Sequence, residues 1–145
     1  MQVLISAFSP EYSLGQNLGR HNQLLRHIKD NLQYSAEVVN QTVGDSRKYS
    51  AVRTLAILID CPSLDEAIIF NRLAERYDQS TWYMLDVLPG NKVGESSTLM
   101  KVSVQTGDRT TLGNFSQADK RTALCSEFFF QYEDGRFFSL EDASA

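Results

Sequence analysis

The sequence predicts an α+β domain: a single antiparallel sheet with two helices on one face and a β-hairpin added at the C-terminal end. Three observations carry this. Short apolar runs rich in β-formers alternate with helix-periodic segments in the order strand, helix, strand, strand, helix, strand. An Asp134-Gly135 pair separates Phe128-Phe129-Phe130 from Phe137-Phe138, and such a pair suits the type I′ turn of a hairpin, which needs φ > 0 at both central positions. The chain has 145 residues, 42% of them hydrophobic, enough for one core, so one domain is expected over 1–145. The order is that of the split βαβ, ferredoxin-like arrangement.

Each element has its own signal. Val3-Leu4-Ile5-Ser6-Ala7-Phe8 is a short buried strand closed by Ser9-Pro10. Leu18, Leu25, Ile28 and Leu32, with Leu24 beside them, recur at helical spacing and predict a helix over about 17–33, with His21 on the same stripe. Ala36 to Val43 reads as a second strand, and the polar stretch from Gly44 to Ser50 as a loop. Thr54 to Ile59 is nearly all apolar, as a strand covered on both faces should be. Ser63 with Glu66 three residues later forms a capping box for a helix from Leu64 to Tyr77. Trp82 to Leu85 and Leu99 to Val104 are further strands, joined by a long connection over 88–97.

Composition and spacing exclude several chemistries. With 14 basic and 18 acidic residues, a net charge of −4 and no basic cluster, the chain lacks the footprint of a nucleic-acid binder. No apolar run approaches the roughly 20 residues that span a bilayer. The apolar start has no basic region before it, so no signal peptide is expected and the cytoplasm is the predicted location. Cys61 and Cys125 are too few for a disulfide framework and have no metal-ligand spacing. His21 and His27, six apart on one helix, face different directions and do not form a metal pair. No Walker-type or dinucleotide-binding glycine motif occurs. Neither a metal nor a cofactor is expected, which leaves metal-free chemistry or binding.

The turn after the first strand is the natural place for a ligand. Strand ends and helix starts present backbone N–H groups suited to a carboxylate or phosphate, and here Ser6-Ala7-Phe8-Ser9 leads to a helix opening Asn17-Leu18-Gly19-Arg20-His21. Taken singly, each residue also has an ordinary reading: a tight turn, a packed helix histidine, an exposed Tyr49, a connector Gln79, a solvated Glu95.

Taken in order, these pieces resemble a known family, the small phage-encoded S-adenosylmethionine (SAM) lyases, formerly called SAM hydrolases. Val3 to Phe8 resembles the family's opening strand, and Asn17-x-x-Arg20-His21 its first helix start. Tyr34 to Tyr49 resembles its second strand and tyrosine loop, and Arg72-Leu73-Ala74 with Asp78-Gln79 its second helix end. Leu112-Gly113-Asn114-Phe115-Ser116-Gln117, with Asp134-Gly135-Arg136, resembles its C-terminal end. The likeness spans nearly the whole chain in short pieces. One departure stands out: the family has an acidic residue a few positions after the loop tyrosine, and Ser50-Ala51-Val52-Arg53-Thr54 has none. Glu95 and Glu37 are the candidate replacements.

The resemblance implies a fold like the trimeric PII signalling proteins, with ligand at subunit interfaces. It also implies a reaction in which the carboxylate of SAM attacks its own Cγ, giving L-homoserine lactone and 5′-methylthioadenosine and depleting SAM in an infected host. SAM is then the substrate and no cofactor is needed. Tyr49 is expected to be the catalytic residue, packing near the sulfonium. The Ser6, Ala7, Phe8 and Ser9 backbone with Arg20 and His21 would hold the methionine moiety, and Gln79 an adenine edge. The homotrimer has some support from the aromatic C-terminal strands, which exceed what one small sheet face hides. The alternatives are hydrolysis to homoserine, or a non-catalytic PII-like module that binds SAM or an adenine nucleotide.

Overall fold

Eight strands close into a barrel. The computed structural model describes residues 1–43, 52–61, 63–87 and 96–141. In chain order the elements are β1 (Gln2–Ile5), α1 (Leu14–Arg26, continued by a π-helical turn, His27–Asn31), β2 (Ala36–Val43), β3 (Val52–Asp60), α2 (Leu64–Arg76) and β4 (Thr81–Val87). They continue with β5 (Ser96–Ser103), β6 (Arg109–Ala118), α3 (Lys120–Leu124), β7 (Phe129–Tyr132) and β8 (Phe137–Leu140). Around the barrel the order is β1-β3-β2-β7-β8-β6-β5-β4, and β4 returns to β1; every pairing is antiparallel.

The ferredoxin-like expectation is therefore corrected. The run β4-β1-β3-β2 has α1 and α2 packed on it, but that sheet does not end at β4 and β2. From β4 it continues through β5, β6, β8 and β7 back to β2. The strand that makes closure possible is β6, where only Phe115 is buried. A strand with one buried side chain has no alternation to read. The C-terminal hairpin is likewise no appendage: β7 pairs with β2 from Val39 to Thr42, and β8 pairs with β6 from Phe115 to Ala118.

Alternation of side chains across the strands builds two cores. Outward-facing Val3, Ile5, Ile57, Ile59 and Met84 meet Leu24 and Ile28 of α1 and Phe70 and Ala74 of α2. Inward-facing Leu4, Ala56, Leu58, Leu85 and Leu99 meet Phe115, Phe128, Phe130 and Phe138 inside the barrel. An eight-stranded barrel is just wide enough for side chains to fill, and here phenylalanines fill it. Phe130 and Phe138 stack at 5.9 Å, and Phe115 lies 4.9 Å from Phe130. β1 and β3 are thus apolar on both faces because one meets helices and the other the barrel interior. The aromatic hairpin buries itself within its own chain, so these phenylalanines give no reason for assembly.

Helix starts are fixed by side-chain caps. Ser13 and Gln16 form a reciprocal capping box at α1, which the sequence reading placed at α2. There Ser63 accepts from the Glu66 amide, while the Glu66 carboxylate accepts from the Tyr34 hydroxyl at 2.8 Å. Among the described residues, no helix is long and apolar enough to cross a membrane.

Candidate functional site in the barrel mouth

Phenylalanines fill the barrel interior, and beside them, where Phe130 pairs across from Gln41, one end opens into a cleft. At that end β1 leaves the sheet, β4 enters it, and the inward positions turn polar: Ser6 after β1, Gln41 on β2 and Thr54 on β3. They line a cavity of about 660 Å³. Phe8 and Tyr12 from the β1–α1 loop and Tyr83 from β4 put aromatic rings along it, while Trp82 turns outward, where its Nε1 donates to Asn71 Oδ1 at 3.0 Å. The cavity rim carries Asp78 and Gln79 from the turn between α2 and β4, and Leu14, which is 67% exposed. Barrel mouths are common places for small-molecule sites because the strands hold the walls while the loops supply the chemistry.

The β1–α1 loop is pinned residue by residue. The Ser6 hydroxyl donates to the Leu55 carbonyl at 2.8 Å and accepts from the Phe8 amide at 3.1 Å. Asn17, buried on α1, closes a two-way clamp on Ser9: its Oδ1 accepts from the Ser9 amide and its Nδ2 donates to the Ser9 carbonyl, both at 3.0 Å. Arg20 then ties this loop to the end of α2. Its Nε donates to the Ala7 carbonyl at 3.1 Å and an Nη to the Tyr77 carbonyl. Its guanidinium lies over the Tyr12 and Tyr77 rings at 4.3 and 5.5 Å. Gln79 makes the same connection from the other side, its Nε2 donating to the Phe8 carbonyl at 2.9 Å and the Tyr77 carbonyl at 3.1 Å. Two carbonyl partners require that this atom be the amide nitrogen, which fixes the orientation of the side chain.

The structure thus brings Ser6, Phe8, Ser9 and Gln79 to one cavity, with Arg20 bracing its wall. It gives several of them work different from that expected. Two Arg20 nitrogens donate to the protein's own carbonyls and the third lies 3.7 Å from Asp78; the NH2 of Gln79 is engaged by the Phe8 and Tyr77 carbonyls, and the Phe8 and Ser9 amides by Ser6 and Asn17. Ala7 is fully buried and contributes its carbonyl to Arg20. His21 is buried behind the loop, edge-on to Phe8 at 6.1 Å, and among the described residues its Nδ1 has no hydrogen-bond partner. It supports the loop from the apolar side. Tyr49 and Glu95 lie outside the described residues. Glu37 sits four residues before Gln41 on β2, about 13 Å along the strand, in a separate depression with Tyr132 and Glu133.

Sequence reasoning missed Tyr12, Gln41 and Tyr83, and quoted Asn17 and Asp78 within motifs without giving them a role. Gln41 had a legible signal: it keeps the inward phase of Val39, and a polar residue at a core position asks for a reason. Asp78 had one only in the backbone, where φ is 60°, a left-handed conformation that Asp and Asn adopt more readily than other non-glycine residues.

Burial holds the His21 imidazole below its ordinary value of 6.5, since desolvation disfavours the cation. The unfolded chain then binds the proton more tightly than the folded one. Stability is complete above about pH 6.5 and declines as pH falls below it toward the folded-state value. Urea melts at pH 7.5 and pH 5.5 should show this loss, and His21→Leu should flatten it; an unchanged pH slope in that variant would assign the loss elsewhere.

No family model matches the chain, and no curated protein matches it.

Proposed function

We propose that the barrel mouth binds S-adenosylmethionine and that the protein is a SAM lyase, forming 5′-methylthioadenosine and L-homoserine lactone. One observation carries this reading. The Ser6–Ser9 loop and Gln79, some seventy residues apart in sequence and both named by the resemblance, face one aromatic cavity of about 660 Å³. That volume falls in the range of pockets that enclose a drug-sized ligand. The cavity suits a sulfonium amino acid, because the Gln79 amide and the Phe8 and Ser9 N–H groups are engaged internally while the Asp78 carboxylate and the rings of Phe8, Tyr12 and Tyr83 remain at its surface.

In the proposed reaction a carboxylate oxygen of SAM forms a bond to Cγ as the Cγ–S bond breaks. The bonding pair passes to sulfur, which becomes the neutral thioether of methylthioadenosine. The sulfonium is already a good leaving group, so the requirement on the protein is geometric. Orienting an intramolecular nucleophile supplies about 7–11 kcal/mol of the barrier. The braced loop provides a fixed wall against which the methionine tail folds back. The aromatic walls exclude water, and so favour the lactone over homoserine. They must hold the sulfonium loosely, since charge lost in the transition state should not be stabilised in the ground state. Tyr49 is proposed to act beside that sulfur.

The resemblance implies a homotrimer in the bacterial cytoplasm, and we propose that form. Incubating the pure protein with SAM and separating the products tests the reaction. Lactone with methylthioadenosine is the expected result; homoserine in the first minutes would mean hydrolysis, and intact bound SAM a sensor. Tyr49→Ala should lower methylthioadenosine formation.

A further inference from the structure

We infer that Asp78 is the specificity-determining residue of the barrel mouth, reading the α-ammonium of the bound ligand; this rests on the proposed SAM site. Asp78 comes just after the Tyr77 C-cap of α2, at φ 60°, so its position is set by the helix end and by the pairing of β4. Its side chain is 60% exposed and lines the cleft. One oxygen, Oδ2, lies 3.7 Å from an Arg20 nitrogen and 3.5 Å from the Tyr12 hydroxyl. Among the described residues, no hydrogen bond or ion pair reaches Oδ1. Arg20 pairs with Oδ2 through one nitrogen, while its Nε and its other Nη donate to the Ala7 and Tyr77 carbonyls, the latter at the negative end of the α2 dipole. The pair is long and the carboxylate exposed, so Oδ1 is open to a ligand in a cavity where the Gln79 amide is already engaged.

The sign of this charge decides which end of an amino acid it takes. A carboxylate attracts the ammonium of the methionine head and repels its carboxylate. With the ammonium held at the rim, the ligand's carboxylate turns inward, along the chain toward Cγ. The ammonium keeps its charge throughout the reaction, so binding it does not oppose the step in which sulfur loses its charge. A carboxylate placed beside the sulfonium would oppose it. Asp78 thus orients the nucleophile without entering the chemistry.

The test uses Asp78→Asn, which keeps the shape and tolerates the same backbone conformation. The two probes are S-adenosylmethioninamine, which keeps the sulfonium and the ammonium but has no carboxylate and cannot lactonise, and 5′-dimethylthioadenosine, which keeps the sulfonium without the ammonium. Calorimetry should show the amine bound at least tenfold more weakly by the variant, with dimethylthioadenosine changed less than twofold. Unchanged amine affinity, or an equal loss for both probes, would overturn the role of Asp78 while leaving the SAM site in place. If the wild-type protein binds neither probe, the SAM reading itself fails and this inference falls with it. A melting curve of the variant matching wild type separates lost recognition from lost fold, and a collapsed fold in D78N would make Asp78 structural.

Discussion

Phe130→Ala is expected to lower the unfolding free energy by about 3–5 kcal/mol, the usual cost of truncating a fully buried phenylalanine. Phe130 is 1% exposed and packs against Phe115, Phe138 and Tyr132 at 4.9, 5.9 and 5.5 Å. It holds the centre of the aromatic plug, on the strand that closes the barrel onto β2 at Gln41. A small domain has only about 5–15 kcal/mol in total, so the variant should unfold near physiological temperature. Equilibrium urea unfolding measures the loss. The partial reduction expected of a hairpin merely lying on an open sheet, near 1 kcal/mol, would be inconsistent with an interior plug.

Arg20→Met should have the second largest effect, and on two observables at once. Removing the guanidinium leaves the Ala7 carbonyl without its side-chain donor and the Tyr77 carbonyl with Gln79 alone, at a cost of about 1–3 kcal/mol for the orphaned acceptor. It also ends the stacking over Tyr12 and Tyr77, worth about 1 kcal/mol when partly exposed. The methionine stem keeps most of the packing, so the core should survive. The β1–α1 loop and the α2–β4 turn then lose their principal tie, and affinity for SAM should fall at least tenfold. Denaturant unfolding and calorimetry on the same sample check both effects. Lower affinity with unchanged stability would instead make Arg20 a direct ligand contact, as the sequence first suggested.

The parts of the fold that were legible were those with a one-dimensional signal. Val3–Ile5, Thr54–Ile59 and Trp82–Leu85 read as strands because both of their faces are covered, and Leu24 and Ile28 as a helix because one face is. Closure had no such signal. It depends on β6, where Thr110, Thr111 and Leu112 are exposed and only Phe115 is buried, and on pairings such as Val39 with Tyr132 that join positions about ninety residues apart. The eight-stranded barrel is thus a long-range fact written in weak local code. The same limit applies to the site. The Ser6–Ser9 loop and Gln79 were found through a resemblance, but their hydrogen-bonding was not. Arg20 looked like a ligand contact because charged residues near helix starts often are; nothing in the sequence says that its donors meet Ala7 and Tyr77. Asn17, quoted with Arg20 and His21, became meaningful only once its amide was seen closing on Ser9.

The central claim is that the barrel mouth bends a sulfonium amino acid into its own attack geometry. A crystal structure with sinefungin tests it most directly, because this unreactive analogue keeps both ends of the methionine head. The ligand is expected between the Ser6–Ser9 loop and Gln79, with a carboxylate oxygen about 3–3.5 Å from the carbon equivalent to Cγ and the ammonium toward Asp78. A ligand extended into solvent, or bound away from the mouth, would contradict the account.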